Sequence, residues 1–527
     1  MELDLNAKLW NSSLRPEERE FYYKGLPSYP ALVARTGTPW KPSTGSWAYS
    51  QRKDLRVVGN HALKEVHALL DSKEVKWTST DVVRIGDVEE SSTPVVLWIG
   101  VIPASLSNEE GRVVALKCHG LFEDYGITDV DVEIRESVVT RSTGPKFLRP
   151  TSPAFSCSSD GTFKPDVREP LTASLGLPIS AESTPLVEGT GGFFIAEGGD
   201  SKRLFFVTAR HVYDNNKFAC EAEGQPRHSV VLFGDAAFNN FLTLIKDTIG
   251  DNAFNVHFQR RRIKTAEERS EPTAEKVRKH AEALAHEAKQ ALVDLNAFYQ
   301  EVSMHWATVE SRTLGHVIFS PPISVGGGIE QYTVDFAIIE IDASKIDKSN
   351  FEGNVIDLCT KIGVGKFSRM MRPNYEDRDA FKYPWDNLLR LSGTIPDEEM
   401  RRPTMLDKKG VPRLMVLKRG NTTRLTVGRA NDILSYARNY DDDNNNPVTS
   451  KEWAILPFDQ ESGAFSEKGD SGSVIADGRG RMGGLLTGGA GSMRGLDITY
   501  ATPIDFLMKR IQTNGFPNAH LNPVLNA

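Results

Sequence analysis

At 527 residues the chain is too long for one ordinary core and should divide into two or three domains. Hydrophobic residues make up 39% and charged residues 25%, an ordinary balance for a soluble globular protein, and the net charge of −7 argues against nucleic-acid binding as the main task. No apolar run is long enough to span a membrane, and the stretch after Met1 has neither the basic region nor the apolar core of a signal peptide.

Cys118, Cys157, Cys220 and Cys359 lie far apart and make no metal-ligand spacing, which reads as a reducing compartment. The expectation is an intracellular protein, cytoplasmic or nuclear, whose sequons at Asn11 and Asn421 are unused.

Residues 1–55 are rich in Pro, Ser, Trp and Tyr without periodicity: an extended arm or a tail. A small α/β unit follows over 56–139. Leu63, Val66, Leu69 and Leu70 fall at helical spacing, and Pro94–Ile102 is a continuous apolar run, as in a strand covered on both faces. Ser107 and Glu110 have capping-box spacing ahead of a helix carrying Val114, Cys118, Leu121 and Phe122. Val130, Val132 and Ile134 then alternate with charged residues, a strand with one buried face. No Gly-rich phosphate loop follows the first strand, so no nucleotide is expected. His61, His67, Cys118 and His119 read as satisfied or solvated side chains; no metal and no cofactor are expected.

Residues 140–184 are dense in Ser, Thr and Pro and read as a linker. From 185 the pattern is mainly β. Phe193–Ala196, a turn at Glu197–Ser201 and Arg203–Thr208 read as a hairpin, which puts His211 just beyond its second arm. Val277, Ala281, Leu284, Ala288, Ala291, Leu295, Phe298 and Val302 then recur at spacings of 4 and 3, a long amphipathic helix inserted at about 262–305. Its apolar seam either packs along the barrel or serves as an arm for a homodimer or partner. Arg260–Lys264 reads as a solvated approach to it.

Asp335 sits among Val334, Phe336, Ala337, Ile338 and Ile339, where an unpaired charge is costly, so it needs a partner; orienting His211 would supply one. Leu414–Gly420 and Arg424–Arg429 read as two strands about a turn, and Asp441–Asn446 as a surface loop. Lys468-Gly469-Asp470-Ser471-Gly472-Ser473 is a tight turn suited to presenting a hydroxyl while aiming backbone N–H groups at one point. Strand, turn and strand follow over Ser473–Thr487, then a helix with Pro503 at its first position, and a tail at 516–527.

Thr208-Ala209-Arg210-His211, Asp335-Phe336-Ala337-Ile338-Ile339 and Gly469-Asp470-Ser471-Gly472-Ser473, in that order, resemble the three catalytic motifs of the trypsin-like (chymotrypsin-fold) serine proteases. The resemblance covers roughly Pro185–Thr513. It implies a mainly β, two-barrel protease domain over 185–515 with a long helical insertion, preceded by the small α/β domain. It also implies a serine endopeptidase acting on protein or peptide substrates through an acyl-enzyme. By motif position, His211 is the general base, Asp335 its orienting acid and Ser471 the nucleophile, with the amides of Gly469 and Ser471 as oxyanion donors. Thr487, Gly488 and Gly489 fall where such proteases line the substrate pocket. Phe465 stands where those cutting after basic residues keep an acid, so that preference is not implied. Lys418, Gly420, Thr422, Thr423, Thr426 and Gly428 resemble a stretch of fungal trypsin-like proteins; with the reducing compartment read from the cysteines, this implies a fungal, intracellular-type member.

Two departures stand out. Relatives of this fold that are secreted bracket the histidine with a disulfide, whereas Cys220 is the one cysteine near His211; and nothing ahead of Gly189 resembles an activation cleavage site, so Asp470 needs an internal partner or the turn is regulated otherwise. The rival reading is a catalytically silent protease fold kept as a scaffold that binds partner proteins.

Overall fold

The computed structural model describes residues 14, 16–23, 30–37, 47–50, 58–87, 94–140, 171–213, 219–220, 227–269, 271–342, 345–346, 351–358, 362–374, 376, 380–440, 447–492 and 495–523. The Asn11 sequon, most of the expected linker, Cys157, Cys359, the Asp441–Asn446 loop and the end of the C-terminal tail lie outside the described residues.

The first β layer orders its strands as Glu188–Thr190, Pro178–Ala181, Ser229–Leu232, Thr313–Ser320, Ala337–Ile341, Leu204–Thr208 and Phe193–Ala196, an open half-barrel. Short, β-branched and aromatic runs form these strands because their side chains, among them Phe193, Phe206, Ile338 and Ile339, fill one core. The half-barrel begins at Pro178, inside the expected linker, because Pro178–Ala181 pairs with both Glu188–Thr190 and Ser229–Leu232.

The second β layer closes on itself. Its six strands run Val448–Pro457, Arg424–Ala430, Leu414–Gly420, Val474–Asp477, Met482–Ser492 and Gly495–Pro503, and the last pairs again with the first. The closing helix Ile504–Thr513 follows, with Pro503 at its N-cap rather than its first helical position.

The N-terminal unit is part of the same sheet as this second barrel. Trp77–Asp87, Val95–Val101 and Val130–Glu136 form its centre, and Leu32–Arg35 from the arm adds to the edge. Trp77–Asp87 then pairs with Ser435–Asn439, which joins the barrel's sheet. One face packs Leu97, Ile99, Val132 and Ile134 under the helices Val58–Ser72 and Asn108–Asp124, the latter capped by the reciprocal Ser107–Glu110 pair. The other face packs Val96 and Trp98 against Leu456, Ala490, Ile498 and Tyr500 of the barrel.

This second contact corrects the one-faced reading of Val130–Glu136. Glu133 and Arg135 are buried at 4% and 0% exposure. They are tolerated because they are partnered: the hydroxyls of Tyr22 and Tyr23 each donate to Glu133 at 2.6 Å. The Arg135 guanidinium lies 3.6 Å over the Trp98 ring, within 3.9 Å of Asp81 and 3.6 Å of Asp497.

The insertion is larger than the periodicity indicates. Asp235–Glu267 and Pro272–His305 are two long helices packed against each other as a hairpin, so it starts near 235 rather than 262. Ala281, Leu284, Ala288 and Ala291 of the seam are buried, whereas Val277 is 40% exposed; Leu295, Phe298 and Val302 join the half-barrel core at the base. Arg260–Lys264 is part of the first helix. The architecture is therefore mainly β, a closed six-stranded barrel beside an open half-barrel, consistent with the two-barrel arrangement expected from the sequence and carrying long helices.

Candidate active site

Register brings the first two candidate residues together. Leu204–Thr208 runs antiparallel to Ala337–Ile341 with Thr208 opposite Ala337, so the residues just past one and just before the other emerge at the same end of the layer. His211 lies there in the one-turn helix Arg210–Val212, and Asp335 lies there two residues ahead of Ala337. Arg210, itself buried, anchors the turn by donating to the Ser320 carbonyl.

His211 and Asp335 make a double contact: the His211 backbone N–H donates to Oδ1 at 3.1 Å, and Nδ1 lies 2.6 Å from Oδ2. A carboxylate can only accept, so Nδ1 carries the proton, which in a neutral ring is the tautomer a general base requires. Both side chains are buried, at 3% and 0% exposure.

The Ser471 turn comes from the other barrel and is seated on the first. The Thr190 N–H donates to the Ser471 carbonyl at 2.8 Å, and the Thr190 hydroxyl donates to the Gly469 carbonyl at 2.8 Å. Thr208, three residues before His211, donates its hydroxyl to the Thr190 carbonyl at 2.7 Å. Gly472, at φ +92°, fits only as glycine: a Cβ there would lie 2.1 Å from the Thr190 oxygen and 2.3 Å from the Thr208 hydroxyl. The serine turn is thus pressed against the strand that leads into the histidine.

Around Ser471 the backbone amides divide into two groups. Those of Asp470, Gly472 and Ser473 donate to the carbonyls of Glu467, Leu486 and Asp470. Those of Gly469 and Ser471 donate to nothing among the described residues. Two free N–H groups flanking a serine are what an oxyanion site presents. The Ser471 hydroxyl is also buried and without a hydrogen-bond partner among the described residues, so it makes no bond to His211 in this conformation.

Asp470 has the internal partner that the sequence calls for. Its carboxylate accepts from the amides of Thr422 (2.7 Å), Thr423 (3.1 Å) and Glu467 (2.9 Å) and from the Thr423 hydroxyl (2.6 Å). The Lys418 ammonium lies 3.2 Å away, both side chains at 0% exposure. Burial pulls the Lys418 pKa below its ordinary range, against the opposing pull of Asp470.

The whole stretch Lys418–Gly428 grips the serine loop. A Cβ on Gly420 would lie 2.4 Å from Asp470 Oδ1, and one on Gly428 2.6 Å from the Phe465 ring. The Thr422 hydroxyl donates to the Lys468 carbonyl at 2.5 Å, and the Thr426 hydroxyl to the Phe465 carbonyl at 2.7 Å. Sequence reading singled out these residues by resemblance but gave them no role. The repeated spacing of small and hydroxyl side chains opposite a turn was the available signal.

Phe465 is 2% exposed and packs in a core cluster with Val416, Ile455 and Leu486, so its ring forms no wall of an open pocket. Thr487 and Gly488 line a cavity of about 20 Å³, room for about one water, together with Thr333, Ser450 and Glu452. There Glu452 accepts from the hydroxyls of Thr333 and Ser450, at 2.5 and 2.6 Å; sequence reading missed this buried acid. Gly489, next along the strand, is paired with Thr140.

Of the residues considered for a metal, His67 stacks on Trp77 with centroids 4.7 Å apart, its Nε2 is 2.9 Å from the Thr80 hydroxyl, and burial lowers its pKa to about 4. Burial pushes the Cys118 thiol up to about 12, and His119 lies 3.7 Å from Glu123.

No family model matches the chain, and no curated protein matches it. Solved structures that match include a glutamic acid-specific serine protease described as using a histidine triad in substrate binding, at 12% identity over 64% of this chain and 97% of that one, with a TM-score of 0.29. Another is Thermobifida fusca protease A, at 13% identity over 64% of this chain and 96% of that one, with a TM-score of 0.28.

Proposed function

We propose that the protein is a serine endopeptidase in which His211 takes the proton of Ser471, Asp335 holds the imidazole, and the Gly469 and Ser471 amides receive the oxyanion. The observation that carries this reading is the double His211–Asp335 contact, which fixes the tautomer, beside a serine turn with two unengaged amides. Attack of Ser471 on a peptide carbonyl would give an acyl-enzyme with loss of the amine, which takes its proton from His211; water then releases the acid. Hydrolysis of an unfolded protein substrate by the purified chain tests the reading. Turnover that disappears in Ser471→Ala supports it, and turnover unchanged by that substitution refutes it.

The Lys418–Asp470 pair supports a turn already set in the uncut chain, with no new N-terminus required. The fungal subtype rests on the residues of the Lys418–Gly428 stretch alone, and the intracellular setting on the spacing of the four cysteines. The helical hairpin, with Phe254 and Phe258 at 73% and 49% exposure, is our candidate contact for a second copy or a partner protein. One observation favours the rival reading of a silent scaffold: the Ser471 hydroxyl is buried and makes no bond to the imidazole.

A further inference from the structure

The strand Met482–Ser492 has its middle paired to Gly495–Pro503 on one side. On the other side, where Gly489, Ala490 and Gly491 would otherwise present an open edge, lies Val138–Thr140, antiparallel, with Thr140 opposite Gly489, Val139 opposite Ala490 and Val138 opposite Gly491. An open edge of this kind accepts any extended peptide through main-chain hydrogen bonds.

The occupant reaches that edge from the N-terminal unit. Ser137, the residue before it, is tied down at both of its backbone polar groups: its N–H donates to the Val101 carbonyl at 2.8 Å and its carbonyl accepts from the Thr78 hydroxyl at 3.1 Å. Trp77–Asp87 of the same unit is stitched to Ser435–Asn439 of the barrel, and the Tyr500 hydroxyl donates to Asp81 at 2.9 Å. The short strand is therefore delivered in register by a docked body. The edge it covers begins at Gly489, next to Thr487 and Gly488 of the candidate substrate pocket.

We infer that Val138–Thr140 is a cis-acting occupant of the peptide-accepting edge at Gly489–Gly491, so that an extended peptide substrate must displace it to bind. This rests on the endopeptidase reading for its catalytic consequence, though not for the strand exchange itself. It makes the N-terminal unit a brake on the site, released when a peptide or partner pulls the strand off. A tethered strand competes at an effective concentration near the millimolar range, so removing it should speed reaction with a dilute ligand about tenfold or more.

The test uses the full chain in three forms: wild type, Val139→Pro, which deletes a main-chain N–H, and Val139→Cys with Ala490→Cys, which places two thiols on directly opposed residues. Under oxidation the double variant should form the 139–490 disulfide, read by peptide mapping. Labelling by a peptidyl fluorophosphonate, whose extended backbone needs the Gly489–Gly491 edge, should be about tenfold faster in Val139→Pro than in wild type, and slower in the oxidised lock than in the same protein reduced. Separately, in a Ser471→Ala background, a fluorescent peptide copying residues 134–142 should bind the Val139→Pro chain and not the oxidised lock.

Labelling that proceeds equally in all forms overturns the inference while leaving the endopeptidase reading intact. Peptide binding that follows the strand, with no labelling in any form, supports the inference and removes the endopeptidase reading. Peptide binding to neither form overturns the inference. Should Val139→Pro fail to fold, the locked and reduced states of the double variant carry the same comparison.

Discussion

The two halves of the candidate site are held in different ways. In the first barrel His211 and Asp335 hold each other through a side-chain contact at Nδ1 and a backbone N–H bond, on two strands set in register. In the second barrel the Ser471 hydroxyl has no hydrogen-bond partner among the described residues, and its place is imposed by a cage around its neighbour Asp470 built by Lys418, Thr422, Thr423 and Glu467. The base is thus fixed through its own contacts, whereas the nucleophile is fixed through the backbone. Substitutions in the two halves should separate chemistry from stability in opposite ways.

Ser471→Ala should lower turnover by about 10⁴ to 10⁶ while leaving thermal stability unchanged or slightly raised, because a buried hydroxyl without a partner contributes nothing to the fold. Hydrolysis and thermal unfolding measured on the same preparation check this. Asp335→Asn should cost turnover about 10⁴, since the amide favours the wrong imidazole tautomer, and should also lower the unfolding midpoint because both contacts to His211 are weakened. Equal stability losses in the two variants would remove the distinction.

Lys418→Met should destabilise the chain by about 3–5 kcal/mol in denaturant unfolding, because Asp470 is left charged and buried. Adding Asp470→Asn should restore most of that loss without restoring full turnover, which would show that the cage serves the turn as well as the fold. His67→Phe, far from both halves, is the control. His67 has its ordinary value near 6.5 in the unfolded chain and about 4 in the folded one, so between those pH values only the unfolded chain takes up the proton. Stability is therefore full above 6.5 and falls as pH drops through the window, by about 3 kcal/mol in total. The variant should flatten that slope and leave fluorophosphonate labelling at neutral pH unchanged.

What could be read from the sequence follows the range of the interactions. The hairpin ahead of His211 is a local pattern and its strands form where it lies, whereas the apolar run around Asp335 is broken at Asp335 and Phe336 into the strands Tyr332–Val334 and Ala337–Ile341. The helix Asp235–Glu267 escaped because its buried face includes Thr248, Asn252 and Gln259, which break the apolar period. The strand Val130–Glu136 read as one-sided because nothing local reveals that Tyr22, Tyr23 and Asp497, each more than a hundred residues away, bury its charged face. Likewise the cage on Asp470 and the pairing of Val138–Thr140 with Gly489–Gly491 join segments distant in the chain, and composition put the boundary between the α/β unit and the linker inside the Val138–Thr140 strand, at Thr140.

The central claim is that His211 makes Ser471 a nucleophile, and covalent capture tests it most directly. Purified full-length chain treated with a fluorophosphonate should carry one adduct, mapped by mass spectrometry to Ser471, and the adduct should be lost in His211→Ala. Folded wild-type protein that acquires no adduct, or an adduct that persists when His211 is removed, would contradict it.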